Sequence, residues 1–515
     1  MKVVLNLIFL LCLSEVYGIN PQVLWEYDLG DSSFGQSSMS DIDGDGKQEL
    51  VFGCYMNDSC IYALNAEDGS LLWKYKAVNQ LGCNDAAPLI YDVDNDGLQD
   101  VVVASSCDLH TYCFDGKTGA VKWAAESRGT DSPPSAADID GDGFIEILHG
   151  DFGGYVVCLN GLNGEKEWEI KVEEDASIQS APTITDLDGD GILDFVVSTW
   201  NFNTNSAVYA YSGKDRALLW TTDVADVVYH SACITNMDNN EVNEIVLGDY
   251  DGNLWAFSQF DGSLVNHKKF NSYIPSPVVS ANLPDGGCGI IFTSGSKIVA
   301  AKSSFDILWE YEIPESGQSF RGAALSDLDS DGFFDAVFGT TNGYLIALSG
   351  IDGTELFSMN LSEIFNTELD INHAPIIGDF NSDGLADVFI VGGKTEYPDF
   401  SSNYGKAIAI NLDVPLTTEW KAFQNNHHRT CSTCDHTVSV NRRAEPGGLS
   451  VNYNFNRVVL KGLDMSNDLI VYDLNGRIIM REKLNSNQRD ILKSNLSNGI
   501  YFVQNGVNHA YFIAF

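Results

Sequence analysis

Short apolar runs alternate with Asp- and Gly-rich turns along most of this chain, always in the same order. A small, Pro-containing strand comes first, as in Ser180-Ala-Pro-Thr-Ile-Thr. A loop of carboxylates follows. Next comes a run such as Leu50-Val-Phe or Phe195-Val-Val, whose β-branched and aromatic residues predict a buried strand and not a helix. A third strand is predicted at Ile61-Tyr-Ala-Leu, Tyr155-Val-Val-Cys-Leu and Val208-Tyr-Ala-Tyr. A turn then leads to a fourth strand that carries Trp: Gly69-Ser-Leu-Leu-Trp73, Gly119-Ala-Val-Lys-Trp123 and Gly164-Glu-Lys-Glu-Trp168. Trp220 and Trp309 hold the same station, and Phe357 takes it in a later unit. A Trp at a fixed distance from a turn Gly, once per unit, reads as a packing anchor between neighbouring units. Ligand stacking is the alternative role.

The acidic loops start at residues 41, 92, 138, 186, 236, 327 and 379, so the spacings are 51, 46, 48, 50, 91 and 52. The gap of 91 is nearly two periods. A degenerate unit fills it: Ser276-Pro-Val-Val-Ser-Ala-Asn-Leu-Pro-Asp-Gly-Gly-Cys-Gly-Ile-Ile-Phe292 keeps the strand–loop–strand frame without the carboxylates. Units of about 48 residues with four strands each predict an all-β fold, a β-propeller. Eight blades is the first expectation and seven the second. Ring closure has two candidates. Val23-Leu-Trp-Glu-Tyr-Asp28 is a fourth-strand sequence with no blade before it, and Glu419-Trp-Lys-Ala-Phe423 is another. From about Gly447 the period stops, and alternating apolar residues with Asn-Gly turns predict a small β-sandwich over 449–515.

The loops carry a hard-cation ligand set. Calcium takes six to eight oxygens from carboxylates and carbonyls. In Asp-x-Asp-x-Asp-Gly-x-x-acid, side chains at positions 1, 3 and 5, the carbonyl at 7 and the acid at 9 converge, and the Gly at 6 permits the tight turn. The candidate ligands are Asp41, Asp43, Asp45, Lys47 and Glu49 in the first loop, and Asp92, Asp94, Asp96, Leu98 and Asp100 in the second. They are Asp138, Asp140, Asp142, Phe144 and Glu146 in the third, and Asp186, Asp188, Asp190, Ile192 and Asp194 in the fourth. Asp327, Asp329, Asp331, Phe333 and Asp335 follow, then Asp379, Asn381, Asp383, Leu385 and Asp387. The copy Asn236-Met-Asp-Asn-Asn-Glu-Val-Asn-Glu244 is eroded. The closing acid comes at 9 and not 12, and a strand follows, so the loop is not an EF-hand. Magnesium, which demands a rigid octahedron, fits less well than calcium. Metal-free Asp/Gly turns are the bland alternative. They would leave like charges crowded at every copy.

The formal charge of −43 argues against nucleic acid and anionic lipid as partners. Residues 1–18 read as a secretory signal, with Lys2, the apolar Val3–Leu13 and Val16-Tyr-Gly18 before the cut. No other segment is long and apolar enough to span a bilayer. Without Cys12, ten cysteines remain. Cys54 with Cys60, and Cys107 with Cys113, are placed for disulfides across hairpins in an oxidising compartment. Cys83, Cys158, Cys233 and Cys288 have no derivable partner. Cys431-x-x-Cys434 lies near His427, His428 and His436. A local disulfide is favoured there over a zinc site, because no second Cys pair completes a ligand set. These boundaries give a signal at 1–18, a propeller at 19–430, a linker at 431–448 and a terminal module at 449–515.

The acidic loops, each running into a strand such as Leu50-Val-Phe-Gly53 or Ile245-Val-Leu-Gly248, resemble FG-GAP repeats of the integrin α-subunit propeller, over residues 36–400. The resemblance implies calcium in the loops and partners on the ring face. The Gly-x-x-x-Trp strands resemble the docking motif of quinoprotein-like propellers, which implies fold only. Val471-Tyr-Asp-Leu-Asn-Gly-Arg477 and Asn498-Gly-Ile-Tyr-Phe-Val503 resemble the type IX secretion sorting domain of Bacteroidetes proteins. It lacks that family's Pro-Asn-Pro opening and a basic C-terminal end. This resemblance implies passage to the cell surface or exterior through the type IX machinery.

Three functions are open at this point. The first is a calcium-stabilised secreted or surface propeller that binds an extracellular protein or glycan without chemistry. The second is a polysaccharide-active enzyme resembling calcium-propeller rhamnogalacturonan lyases, with His110, His149, His230 and His373 as candidate bases. The third, a redox quinoprotein, rests on fold analogy alone. No Ser/His/Asp signature, phosphate loop or zinc-protease motif is present.

Overall fold

The computed structural model describes residues 19–434 apart from short loops at 78–82, 85, 107, 202–205, 238–241, 285–286 and 397–398, together with the strands of 450–514. The signal segment 1–18 lies outside the described residues. Eight antiparallel four-stranded sheets make the ring, an eight-bladed β-propeller. Blade one is Ser38–Ser40, Glu49–Gly53, Cys60–Asn65 and Leu71–Lys76. The short first strands of neighbouring blades approach one another around the axis. The second strands are buried from end to end, which is why they read as unbroken apolar runs. The fourth strand faces water on one side, and in Leu71–Lys76 only Trp73 is fully buried. The degenerate unit folds like the others, as Val279–Asn282, Cys288–Ser294, Lys297–Lys302 and Ile307–Glu312.

The ring closes through the N-terminal strand. Gln22–Leu29 pairs antiparallel with Tyr404–Pro415 and completes the blade made by Ile376–Gly378 and Leu385–Lys394. With that edge taken, Glu419–Phe423 is not a fourth strand. Trp420 instead exchanges backbone hydrogen bonds with Ile377, on the innermost strand of blade eight.

The Trp station is an inter-blade latch. Trp25, Trp73 and Trp123 donate from Nε1 to the carbonyls of Ala66, Gly116 and Gly161 in the next blade, at 2.7, 2.6 and 2.8 Å. Trp220 and Trp309 do the same to Gln259 and Gly350. Each indole lies against the turn glycine of that next blade. A Cβ on Gly69 would meet the Trp25 ring at 2.5 Å, and the residue's φ of +71° is itself a glycine conformation. Trp168 departs from the pattern. Its turn partner is Arg216, whose guanidinium stands 5.9 Å from the ring centre, and Trp168 Nε1 has no hydrogen-bond partner.

The axis is filled by the chain's own residues 418–434. The N–H groups of Met39, Ala136, Ile184, Ile234, Ser280 and Ile377 donate to the carbonyls of Lys421, His427, His428, Thr430, Cys431 and Trp420. Ser326 Oγ reaches Thr418 O, and Arg429 Nη2 reaches Pro88 O. All eight blades are thus tied to one segment. Arg429 is fully buried, and its guanidinium also donates to Pro134 O and Phe423 O. Burial pulls it down to about 10.

A disulfide joins Cys434 to Cys288 of blade six, which overturns the local Cys431–Cys434 bond and the zinc reading. Cys431 points into the core beside blades five and six, and the fold separates it from Cys434. The channel segment therefore runs on to Cys434, past the expected boundary at 430. The hairpin disulfide between Cys54 and Cys60 is also absent. Cys54 N bonds Cys60 O, but the Cys60 thiol turns to Asp58 O. Cys113 is a free buried thiol, while Cys107 and His436 lie outside the described residues.

Beyond the ring, one sheet consists of Ser450–Asn454, Arg457–Lys461 and Gln488–Leu492. A second consists of Ile478–Lys483, Asp468–Asp473, Gly499–Asn505 and Asn508–Ala514. Part of the Val471–Arg477 segment lies outside the described residues.

Candidate metal loops

All acidic loops connect the first and second strands of their blades, so the strand directions put them on one face of the ring. Within each loop the backbone fixes the acids. Asp41 accepts from the N–H groups of Gly44 and Gly46, Asp43 from Asp45, and Asp45 from Lys47. Asp186, Asp188 and Asp190 repeat this with Gly189, Gly191, Asp190 and Ile192. Asp327, Asp329 and Asp331, and Asp379, Asn381 and Asp383, close their turns in a similar way. The sixth-position glycine stands at positive φ, as at Gly143 with +94°. Residues at the seventh position serve through the backbone. Leu98, Phe144 and Phe333 give their N–H to the fifth-position acid while Leu98 and Phe144 keep exposed side chains.

The closing acid does more than the motif suggests. Glu49, Asp100, Glu146, Asp194, Asp335 and Asp387 each accept from the backbone N–H of the loop's second residue. The same bond survives in the eroded loop, from Met237 N to Glu244. Asp194 and Asp335 also take the N–H of Gly213 and Gly350 from the turn between the third and fourth strands. The ninth position is thus a structural clasp as well as a candidate ligand.

Oxygens of three acids lie within 4.8 Å of one another in five loops. The sets are Asp41, Asp43 and Asp45; Asp92, Asp94 and Asp96; Asp138, Asp140 and Glu146; Asp186, Asp188 and Asp194; and Asp327, Asp329 and Asp335. In blade eight the amide of Asn381 donates to Asp383 at 3.0 Å. Burial, with the neighbouring carboxylates adding to it, pushes Glu49 and Asp335 up to about 7 and Glu146 to about 8. Burial likewise raises Asp194 and Asp387 to about 6. Such crowded acids suit a divalent cation, which would replace the missing water. Blade three gives the sharpest test of fit. Asp138 Oδ1 and Asp140 Oδ1 are shielded from water and have no hydrogen-bond partner.

The loops are not equal. In blade two, Lys122 from the fourth strand puts its ammonium 2.5 Å from Asp94 and 2.8 Å from Asp100. In blade three the same station is Glu167, a further acid that raises Glu146. Sequence reasoning missed this, although it is visible once the residues before Trp73, Trp123 and Trp168 are aligned: Leu72, Lys122 and Glu167.

The candidate bases scatter. His149 is buried between Thr111 Oγ1 and Gly150 O. His230 is buried and held to Phe320 O, and His373 meets Ser37 Oγ. Burial lowers all three, His373 to about 3. His110 is half-buried and held to Asp108 O. The structure brings no two of these four together with a carboxylate at hydrogen-bond distance.

Family models match three stretches of the chain. They are an FG-GAP-like repeat at residues 92–149, outer membrane protein assembly factor BamB at 194–449 and a secretion system C-terminal sorting domain at 448–510. No functionally curated protein matches the sequence. Among solved structures, the ring is similar to quinohemoprotein alcohol dehydrogenase from Comamonas testosteroni, with TM-score 0.55 and 11% identity over 77% of each chain. A europium-containing methanol dehydrogenase gives 0.55 at 12% identity over 76% of this chain and 93% of that one. Sqt1 from Saccharomyces cerevisiae gives 0.55 at 12% over 76% and 98%. Likeness at such identities shows the fold alone. The chain is therefore an eight-bladed propeller that contains an FG-GAP-like repeat at 92–149, followed by a secretion sorting domain at 448–510. That domain marks it for the type IX machinery and the cell surface or exterior. Among the described residues no helix is long and apolar enough to cross a membrane.

Proposed function

We propose that this protein is an extracellular binding propeller, held rigid by calcium in its acidic loops, that does no chemistry on what it binds. The observation that carries the reading is the repetition itself. Acids sit at the same backbone-clasped stations in six of the eight blades, on one face. A part copied around a ring stiffens the ring, and a catalytic centre needs to be built only once. The metal would be held by the acids at positions 1, 3 and 5, the carbonyl at 7 and the acid at 9 of each loop. When bound it supplies charge neutralisation and a fixed turn. Those acids are then accounted for and are not an acid–base pair. The buried, lowered histidines take part in the fold, which weakens the lyase alternative.

The test is direct. The purified chain is incubated with panels of oligosaccharides and extracellular proteins in calcium, and both retention and new reducing or unsaturated ends are scored. Retention of an unchanged ligand is expected. Appearance of cleaved product, lost on replacing one histidine, would sink the non-catalytic reading.

A further inference from the structure

The face opposite the acidic loops carries a row of aromatic rings that the repeat does not require. Trp200 of blade four stands 5.1 Å from Tyr229 and 5.4 Å from Tyr250, centre to centre. Tyr250 is 5.7 Å from Tyr273, and Tyr273 is 6.4 Å from Phe320. The guanidinium of Arg321 lies 4.9 Å from the Tyr229 ring centre. All six side chains are partly buried, each with a minor part of its surface open to solvent. They come from two kinds of connection, the turn after the second strand and the link into the next blade, in blades four to seven.

Scaffolding does not explain them. Trp200 and Tyr250 are the second residues past the ends of Asp194–Ser198 and Glu244–Gly248. The matching residues are aromatic in blades one and three, Tyr55 and Phe152, but they are Ser106 in blade two and Thr341 in blade seven, and those blades fold equally well, so the fold tolerates an aromatic ring there without needing one. The fold's own aromatic latch, by contrast, recurs at one station around the ring.

One end of the row borders a small, largely enclosed polar pocket with room for about one water. Gln36, Asp131, Gln179, His230, Arg321 and Phe423 are among the residues that line it. Partly exposed Trp and Tyr rings give rigid contact at little entropic cost and suit ligands that are apolar on one side and wet on the other. A pyranose has this character, with C–H groups on its ring face and hydroxyls on its rim. Amides, a carboxylate and a guanidinium beside the rings match the hydroxyls. A chain of formal charge −43 repels acidic polymers, so an uncharged sugar chain fits it better than a uronate polymer.

We infer that the arc from Trp200 to Phe320 on the face opposite the acidic loops, with the small polar pocket beside it, binds an uncharged oligosaccharide chain. This rests on the binding reading above and names its ligand class.

The experiment titrates the full calcium-loaded chain with cellohexaose, mannohexaose and xylohexaose, with polygalacturonate as the acidic comparison. Calorimetry and indole fluorescence report binding. At least one neutral oligosaccharide binds, and polygalacturonate does not. Trp200→Ala and Tyr250→Ala each weaken binding about tenfold or more at an unchanged melting temperature. Tyr55→Ala, at the equivalent turn position of blade one and outside the arc, leaves it unchanged. Binding that survives both arc variants, or silence toward all three neutral probes in a chain that still melts higher with calcium, overturns the arc as a glycan site. Conversion of a bound oligosaccharide would overturn the non-catalytic reading and leave the arc standing.

Discussion

On one face of the ring, seven blades present a loop of the same length with the same clasp from the closing acid to the second residue's N–H. On the other face, the turns after the second strand range from residues 295–296 in blade six to 395–403 in blade eight. The difference follows from what each face must satisfy. The clasp between the closing acid and the second residue's N–H fixes how far apart the two lie, so the acidic loops keep their spacing. The opposite turns only join two strands, so their length and side chains are free to take on a task. Within the acidic face the same lesson recurs in small. Lys122 already neutralises the loop of blade two, while Glu167 adds charge to that of blade three.

The largest test of this division is metal removal. Chelation should lower the melting temperature by on the order of 10 °C or more, since even one site at a hundredfold excess over its Kd adds about 2.7 kcal/mol. Calorimetry with EDTA and then excess calcium checks this, and an unchanged melt with no calcium by elemental analysis breaks the comparison. The calcium effect should also grow with pH. Closing acids raised to between about 6 and about 8 in the metal-free ring stabilise it by holding protons. That gain is full below their unfolded values near 4 and is lost as pH rises through 6 to 8. Calcium needs the deprotonated forms, so its increment in melting temperature should be small at pH 5 and largest near pH 8.

Next come the ties across the channel. Arg429→Met leaves the carbonyls of Pro88, Pro134 and Phe423 without their donor. It should cost about 3 kcal/mol in denaturant unfolding, with or without calcium. Replacing Cys288 and Cys434 by Ala opens a loop of sequence separation 146 and should cost about 2–4 kcal/mol. Equal melts with and without reductant would show the bond to be dispensable. The smallest effect separates blades two and three. Lys122→Met should raise calcium affinity several-fold at one site, and Glu167→Gln should lower it at another, each read by calcium titration.

How far the sequence reached depended on repetition. The buried second strands, the latch formed by Trp25, Trp73 and Trp123, and the loops from Asp41 to Asp387 were legible because each is a local pattern copied at a fixed period. The degenerate sixth unit was recoverable only from the gap its neighbours left. Arg429, Cys434 and the channel segment were not legible, because they occur once and their partners lie on eight different blades. Trp25 and Trp420 looked equivalent as strand anchors. Only pairing with Tyr404–Pro415 separates the strand that closes the ring from the segment that fills it.

The sequence by itself determined the repeat, the strand order within a blade, the carboxylate pattern of the loops and the sorting domain. Each is written in residues close together in the chain. The tertiary structure decided the blade count and closure, the Cys288–Cys434 bond, the difference between blades two and three, and the aromatic arc on the opposite face. Those depend on which distant residues a closed ring brings within contact, and no local pattern encodes that.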